Sequence, residues 1–109
     1  MVDTIAGDNH NSHMLTVIET EAFSDWLASI KDRPTRIRLQ IRLRKVSLGN
    51  LGDVKPVGQG VFEMREFFGP GWRMYYVERA GTIIVMLGGG DKSSQTRDIE
   101  RAQRMAKEL

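Results

Sequence analysis

Cysteine is absent from this 109-residue chain. That excludes disulfides, thiolate metal sites and cysteine nucleophiles, and it fits a reducing compartment. Histidine is scarce: His10 and His13 are the two present, and both lie near the N-terminus. No apolar run approaches the roughly 18 residues that a membrane span needs, and the N-terminus lacks the basic and apolar regions of a signal peptide. These absences lead us to expect a cytoplasmic protein with no membrane partner. At this length there is room for one domain, which can bury enough apolar surface to fold without staples.

What is present is unevenly charged. The formal net charge is +2, but residues 1–30 hold Asp3, Asp8, Glu19, Glu21 and Asp25 with no Lys or Arg. Residues 31–55 then carry Lys31, Arg33, Arg36, Arg38, Arg42, Arg44, Lys45 and Lys55 against Asp32 and Asp53. A block this basic attracts phosphate, an attraction that salt weakens through counterion release. The plainer alternative is a solvated helix face whose long side chains lie over apolar neighbours.

Residues 1–14 are polar and show neither helical nor strand periodicity. They are expected to be a disordered leader or a cloning-derived tail, with the single domain spanning 15–109. Neither histidine is then a strong metal or catalytic candidate, and no metal site is expected. Residues 14–20 read as a strand, and Thr20 can cap a helix over 21–30 whose Phe23, Trp26, Leu27 and Ile30 share a face. The next segment is ambiguous, because Ile37, Leu39, Ile41 and Leu43 alternate with polar residues as a strand would. Its Arg, Leu and Gln content, Pro34 in a first turn and Gly49-Asn50 as a stop predict a helix over 34–48 instead. Together the two helices make an expected antiparallel pair. From residue 52 the texture becomes β-rich runs divided by glycine, with strands expected at 53–57, 61–68, 72–78 and 82–87. A helix follows over 94–109, with Ile99, Ala102, Met105 and Ala106 on one side. The expected fold is α+β: a mainly antiparallel sheet with an N-terminal helical pair and a C-terminal helix.

Side chains alternate faces along a strand, so hairpin register decides which residues cooperate. A three-residue loop at Gly69-Pro70-Gly71 pairs Phe68 with Trp72, Phe67 with Arg73 and Arg65 with Tyr75. Arg65, Phe67, Arg73 and Tyr75 then share a face, with Glu63 nearby, while Met64, Phe68, Trp72, Met74 and Tyr76 take the other. Arginines and aromatics on one face make an RNA platform, with guanidinium forks for phosphate and flat groups for unpaired bases. The alternative is ordinary cross-strand pairing with Glu63 or Glu66. The run from Gly88 to Ser94 is a glycine-rich entry into a helix, but it lacks the spacing of a phosphate-binding P-loop.

Several ordered motifs carry a family resemblance. The run LGNLGDVKPVG at 48–58, then EMR at 63–65, FGPGWRMY at 68–75 and GGDKSSQ at 89–95, with Asp98, Ile99 and Ala102, resembles the HigB-like addiction-module killer proteins of the RelE/ParE toxin superfamily. The resemblance covers essentially residues 15–109. It implies a compact RelE-like fold, supports the helix over 34–48, and implies the toxin of a type II toxin–antitoxin system. The implied activity is a metal-independent mRNA interferase, an endoribonuclease cutting messages on translating ribosomes without a cofactor. Implied partners are a helix-turn-helix, HigA-like antitoxin, the ribosome and mRNA, with operator DNA reached only through the antitoxin complex.

Such cleavage uses the neighbouring 2′-hydroxyl as nucleophile, so the protein must orient it, move two protons and stabilise a pentacoordinate phosphate. Arg65 and Arg73 match the family's hairpin arginines and would stabilise that charge. Lys92 would contribute positive charge or proton transfer, and Lys55 is a second candidate. Asp91 would orient Lys92, or act as a base if its environment raised its pKa. Arg36, Arg38, Arg42, Arg44, Lys45, Phe67 and Tyr75 are the RNA-binding candidates. The domain over 15–109 has no histidine, which departs from the acid–base pair of many ribonucleases. Two other functions stay open on these residues: a ParE-like inhibitor of DNA gyrase, and a non-catalytic, degenerate toxin acting as co-repressor with its antitoxin.

Overall fold

The β-branched run after Met14 forms strand β1 (Thr16–Glu19) in the computed structural model, which describes residues 14–109. The leader expected over 1–14 lies outside the described residues except for Met14. Thr20 opens α1 (Glu21–Ser29): its hydroxyl accepts from the Phe23 N–H at 3.2 Å and donates to the Met86 carbonyl at 2.8 Å. One residue therefore caps the helix and ties it to a distant strand. Helix α2 (Arg33–Ser47) starts from Asp32, whose carboxylate accepts from the backbone and hydroxyl of Thr35. Pro34 sits in its first turn, where the missing N–H leaves no bond unmade. The apolar alternation in this segment is split by the helix: Leu39 and Leu43 are buried, whereas Ile37 and Ile41 are 43% and 48% exposed.

Four strands then run as a meander, β2 (Val54–Gly58), β3 (Val61–Arg65), β4 (Arg73–Arg79) and β5 (Ile83–Gly90), followed by a 3-10 turn at Lys92–Ser94 and helix α3 (Gln95–Lys107). Helices cover both sheet faces. Phe23, Leu27 and Ile30 of α1 and Leu39, Leu43 and Val46 of α2 pack on Met64, Met74, Tyr76, Ile84 and Met86. Ala102 of α3, with Ile99, Met105 and Ala106, packs on Val61, Tyr75, Val77 and Leu87 from the opposite side. Among the described residues no helix is long and apolar enough to cross a membrane.

Two expectations are corrected here. The sheet is mixed rather than the mainly antiparallel, RelE-like arrangement expected: its order is β1-β5-β4-β3-β2, and β1 pairs with β5 in parallel. Three reversals separate β2 from β5, and the strand that precedes both helices joins the sheet alongside β5. A four-residue strand carries no local mark of which way its partner will run.

The second correction concerns the central hairpin. Arg65 stands opposite Arg73 and Glu63 opposite Tyr75, two residues away from the register expected. Gly69 and Gly71 adopt φ of 59° and 81°, and the Gly71 N–H closes a tight turn on the Phe68 carbonyl at 3.1 Å. That turn sits inside a wider loop bounded by the Glu66 N–H bond to the Trp72 carbonyl. Phe67 is consequently off the ladder and 76% exposed. A shift of two residues preserves side-chain parity, so Glu63, Arg65, Arg73 and Tyr75 still share a face.

Candidate functional site

The sheet end where β3, β4 and β5 meet the glycine-rich hairpin loop and the 91–94 turn is built by close approaches. A Cβ added at Gly90 would lie 1.9 Å from Asp98 Oδ2, so the first turn of α3 rests directly on the end of β5. The Ser94 hydroxyl donates to that same Asp98 oxygen. A Cβ at Gly71 would lie 3.4 Å from Lys92 Cβ, and the Lys92 N–H reaches the Pro70 carbonyl at 3.4 Å. The hairpin loop and the 91–94 turn thus touch, and between them lies a cleft of about 310 Å³ lined by Glu66, Phe67, Arg73, Lys92 and the 69–71 turn.

Arg73 and Lys92 arrive at this cleft from separate elements. Arg73 is buried, and its Nη1 donates to the Glu66 carbonyl at 3.1 Å and to its neighbour's at Trp72 at 3.2 Å. Lys92 is exposed at the rim. Arg65 is held by Asp53 through two bonds of 3.2 Å, and its guanidinium lies 5.7 Å from the Phe67 ring. It flanks the cleft without lining it. Lys55 is exposed on edge strand β2 opposite Glu63 and lines neither this cleft nor the one described next.

A second cleft, about 260 Å³, runs along α2 between Arg38, Ile41, Arg42 and Lys45 and reaches Asn50, Gly52 and Glu66. Glu66 belongs to both, so the basic helix and the Arg73–Lys92 cleft form adjoining surfaces. Arg38 lies 3.6 Å over the Phe68 ring. Arg42 does not present a free charge. Its guanidinium donates to the carbonyls of Leu51, Asp53 and Arg65 and pairs with the Glu66 carboxylate. It pins the 51–53 loop and the end of β3 to the helix, and Gly52 is needed because a Cβ there would meet this guanidinium at 3.0 Å. Arg36 likewise donates to the Ile30 and Lys31 carbonyls at the end of α1. Arg44 and Lys45 remain exposed.

Two further expected roles change, beside those of Arg36, Arg42, Arg65 and Lys55. Tyr75 is fully buried beneath α3 and cannot stack on a base. Its hydroxyl donates to Glu63 Oε2 at 3.1 Å, and burial first, then the nearby Glu63 charge, push its pKa far above the usual phenol range. Asp91 is also placed differently from the base considered above. The Ser93 hydroxyl, and then backbone N–H groups at Ser93 and Ser94, outweigh a slight desolvation and hold its carboxyl below the ordinary value. It accepts from Ser93 as the cap of the 3-10 turn.

Glu63 and Gln95 are the polar residues that reading the chain underplayed. Glu63 is wholly buried, and its Oε2 also accepts from Gln95 Nε2 at 2.8 Å. Alternation along the strand had already put Glu63 on the face with Arg73. Its burial depends on α3 lying over it, which no local pattern states. Among the described residues, no three His, Asp or Glu side chains gather as a metal site.

In comparison with known proteins, the chain is 38% identical over 90 residues to a Haemophilus influenzae protein described as uncharacterized, an alignment covering 83% of this chain and 91% of that protein. No family model matches the chain. No solved structure matches it either.

Proposed function

We propose, for a chain that belongs to the same family as this Haemophilus influenzae protein, that it is the toxin of a type II toxin–antitoxin system, similar to the HigB-like killers, and cuts mRNA on the ribosome. The observation that carries the reading is the convergence of Arg73 and Lys92 on one cleft with Phe67 at its rim. Supporting it, the exposed cations of α2 adjoin that cleft and give a path for a polyanion.

In this reading the message threads over Arg38 and Lys45 and places one phosphate between Arg73 and Lys92, where an exposed Phe67 ring can stack an unpaired base. The 2′-oxygen attacks phosphorus and loses its proton, while the bond to the 5′-oxygen breaks and that oxygen gains one. The products are a 2′,3′-cyclic phosphate and a 5′-hydroxyl end. Arg73 stabilises charge on the pentacoordinate phosphate, and Lys92, exposed and able to swing, serves the leaving oxygen. The place of action is the cytoplasm, and the partners are the ribosome, mRNA and a helix-turn-helix antitoxin that also reaches operator DNA.

The test is induction of the full chain without antitoxin, with mapping of mRNA ends. Growth arrest with new 5′-hydroxyl ends inside translated messages is expected, and Lys92→Met lowers cleavage by roughly 100-fold or more in folded protein. Intact mRNA with abundant folded protein would sink the nuclease reading. A DNA-damage response without message cuts would point to gyrase.

A further inference from the structure

The polar cluster under α3 contains a mismatch that the mechanism above leaves unused. Glu63 Oε2 accepts from both Tyr75 and Gln95, whereas Oε1 has no hydrogen-bond partner. Arg73 Nε is likewise buried without a partner, and the two orphan atoms face each other at 3.9 Å. Glu63 is 0% exposed and the Arg73 side chain 8%.

A fully buried carboxylate is a poor way to join two strands. Desolvating an ion pair offsets most of its attraction, and apolar residues of similar volume often stabilise more. The same site already has strand pairing between β3 and β4 and apolar packing by α3 to hold it together. What Glu63 adds is direction. Its Oε2 is fixed from β4 and from the first turn of α3, so Oε1 points at the Nε side of Arg73; with Nη1 donating to the Glu66 and Trp72 carbonyls, Nη2 is the guanidinium nitrogen left for the cleft.

We infer that Glu63 is a positioning residue: it holds the Arg73 guanidinium by its Nε edge, as the Glu66 and Trp72 carbonyls hold Nη1, so that Nη2 addresses a phosphate in the cleft. Through Gln95 it also registers the start of α3, and with it Lys92, against the same strand. The inference rests on the nuclease reading for its consequence in catalysis, but the Glu63–Arg73 contact itself does not.

Two measurements on the full chain separate these parts. In arginine-labelled protein, the Arg73 Nε–H gives an NMR signal protected from solvent exchange, and Glu63→Gln abolishes the protection. A wild-type signal exchanging as fast as that of an exposed arginine overturns the proposal, whether or not the protein cuts RNA, and needs no variant to fold. In single-turnover cleavage of mRNA on translating ribosomes, Glu63→Gln lowers the maximal rate by about 100-fold, the scale on which a misplaced group is felt, with half-saturation nearly unchanged. Added to Arg73→Lys, the same change costs less than about threefold, because Glu63 acts through Arg73. Folded Glu63→Gln protein cutting at the wild-type rate overturns the positioning role, and so does full additivity with Arg73→Lys. A wild-type chain that cuts no message removes the nuclease reading alone, and the Arg73 signal still decides the contact.

Discussion

The same strands present two unlike faces. Toward α1 and α2 they offer Met64, Met74, Tyr76, Ile84 and Met86, which meet Phe23, Leu39 and Val46 in an apolar layer. Toward α3 the layer is apolar around Val61, Val77, Leu87 and Ala102, yet it also encloses Glu63, Arg73, Tyr75 and Asp98. Alternation along β3 and β4 sends neighbouring residues to these two environments. The first face is one that stability alone explains. The second buries charge beside a cleft, and burying charge is costly unless the groups are paired or used.

The largest effect that tests this contrast belongs to the apolar face. Leu39 is 0% exposed, and Leu39→Ala is expected to lower unfolding free energy by about 2–5 kcal/mol, transfer and cavity terms together. Urea denaturation measures it. A loss well under that range would mean that α2 is not part of the core and would erase the distinction between faces.

A smaller loss is expected from the polar face. Gly90→Ala places a methyl group 1.9 Å from Asp98 Oδ2, and Gly90 has no left-handed φ to complicate the reading. Overpacking of this kind costs about 1–3 kcal/mol, and the first turn of α3 should exchange its amide hydrogens faster. Unchanged stability and exchange would show that α3 is not seated on β5 as described.

The smallest effect sits in the turn that carries Lys92. The carboxyl of Asp91 titrates below its ordinary 3.8, chiefly because it accepts from Ser93. A depressed folded pKa contributes stability that is fully present above the unfolded value and fades as pH falls through the folded one. Asp91→Asn should therefore lower Tm slightly at neutral pH, with the difference shrinking in acid. A difference that widens in acid would contradict the bonding described for this turn. The effect is small because the carboxylate stands near solvent, which screens it.

Much of this molecule could be read from neighbouring residues. Thr20 as a cap, the helical spacing of Phe23, Leu27 and Ile30, and the division of Met64, Met74 and Tyr76 from Arg65 and Arg73 all follow from local geometry with periods of 3.6 and 2. The shared face even withstood a wrong hairpin register, since the shift was an even number of residues. Arg42 was harder to place. As one cation among several on α2 it looks like its neighbours, and its role as a clamp depends on carbonyls brought to it from the 51–53 loop and β3.

Composition and periodicity were thus sufficient for α1, α3, the meander and the basic run, because those depend on contacts within a few residues; for α2, composition and its end signals had to outweigh a strand-like alternation. The direction of β1, the burial of Tyr75 and Glu63, and the meeting of Arg73 with Lys92 were settled only when distant segments packed. Each requires a partner from another part of the chain: β5 for β1, α3 for Tyr75 and Glu63, and the 91–94 turn for Arg73. Long-range packing sets dielectric, orientation and access together, and local preference encodes none of the three.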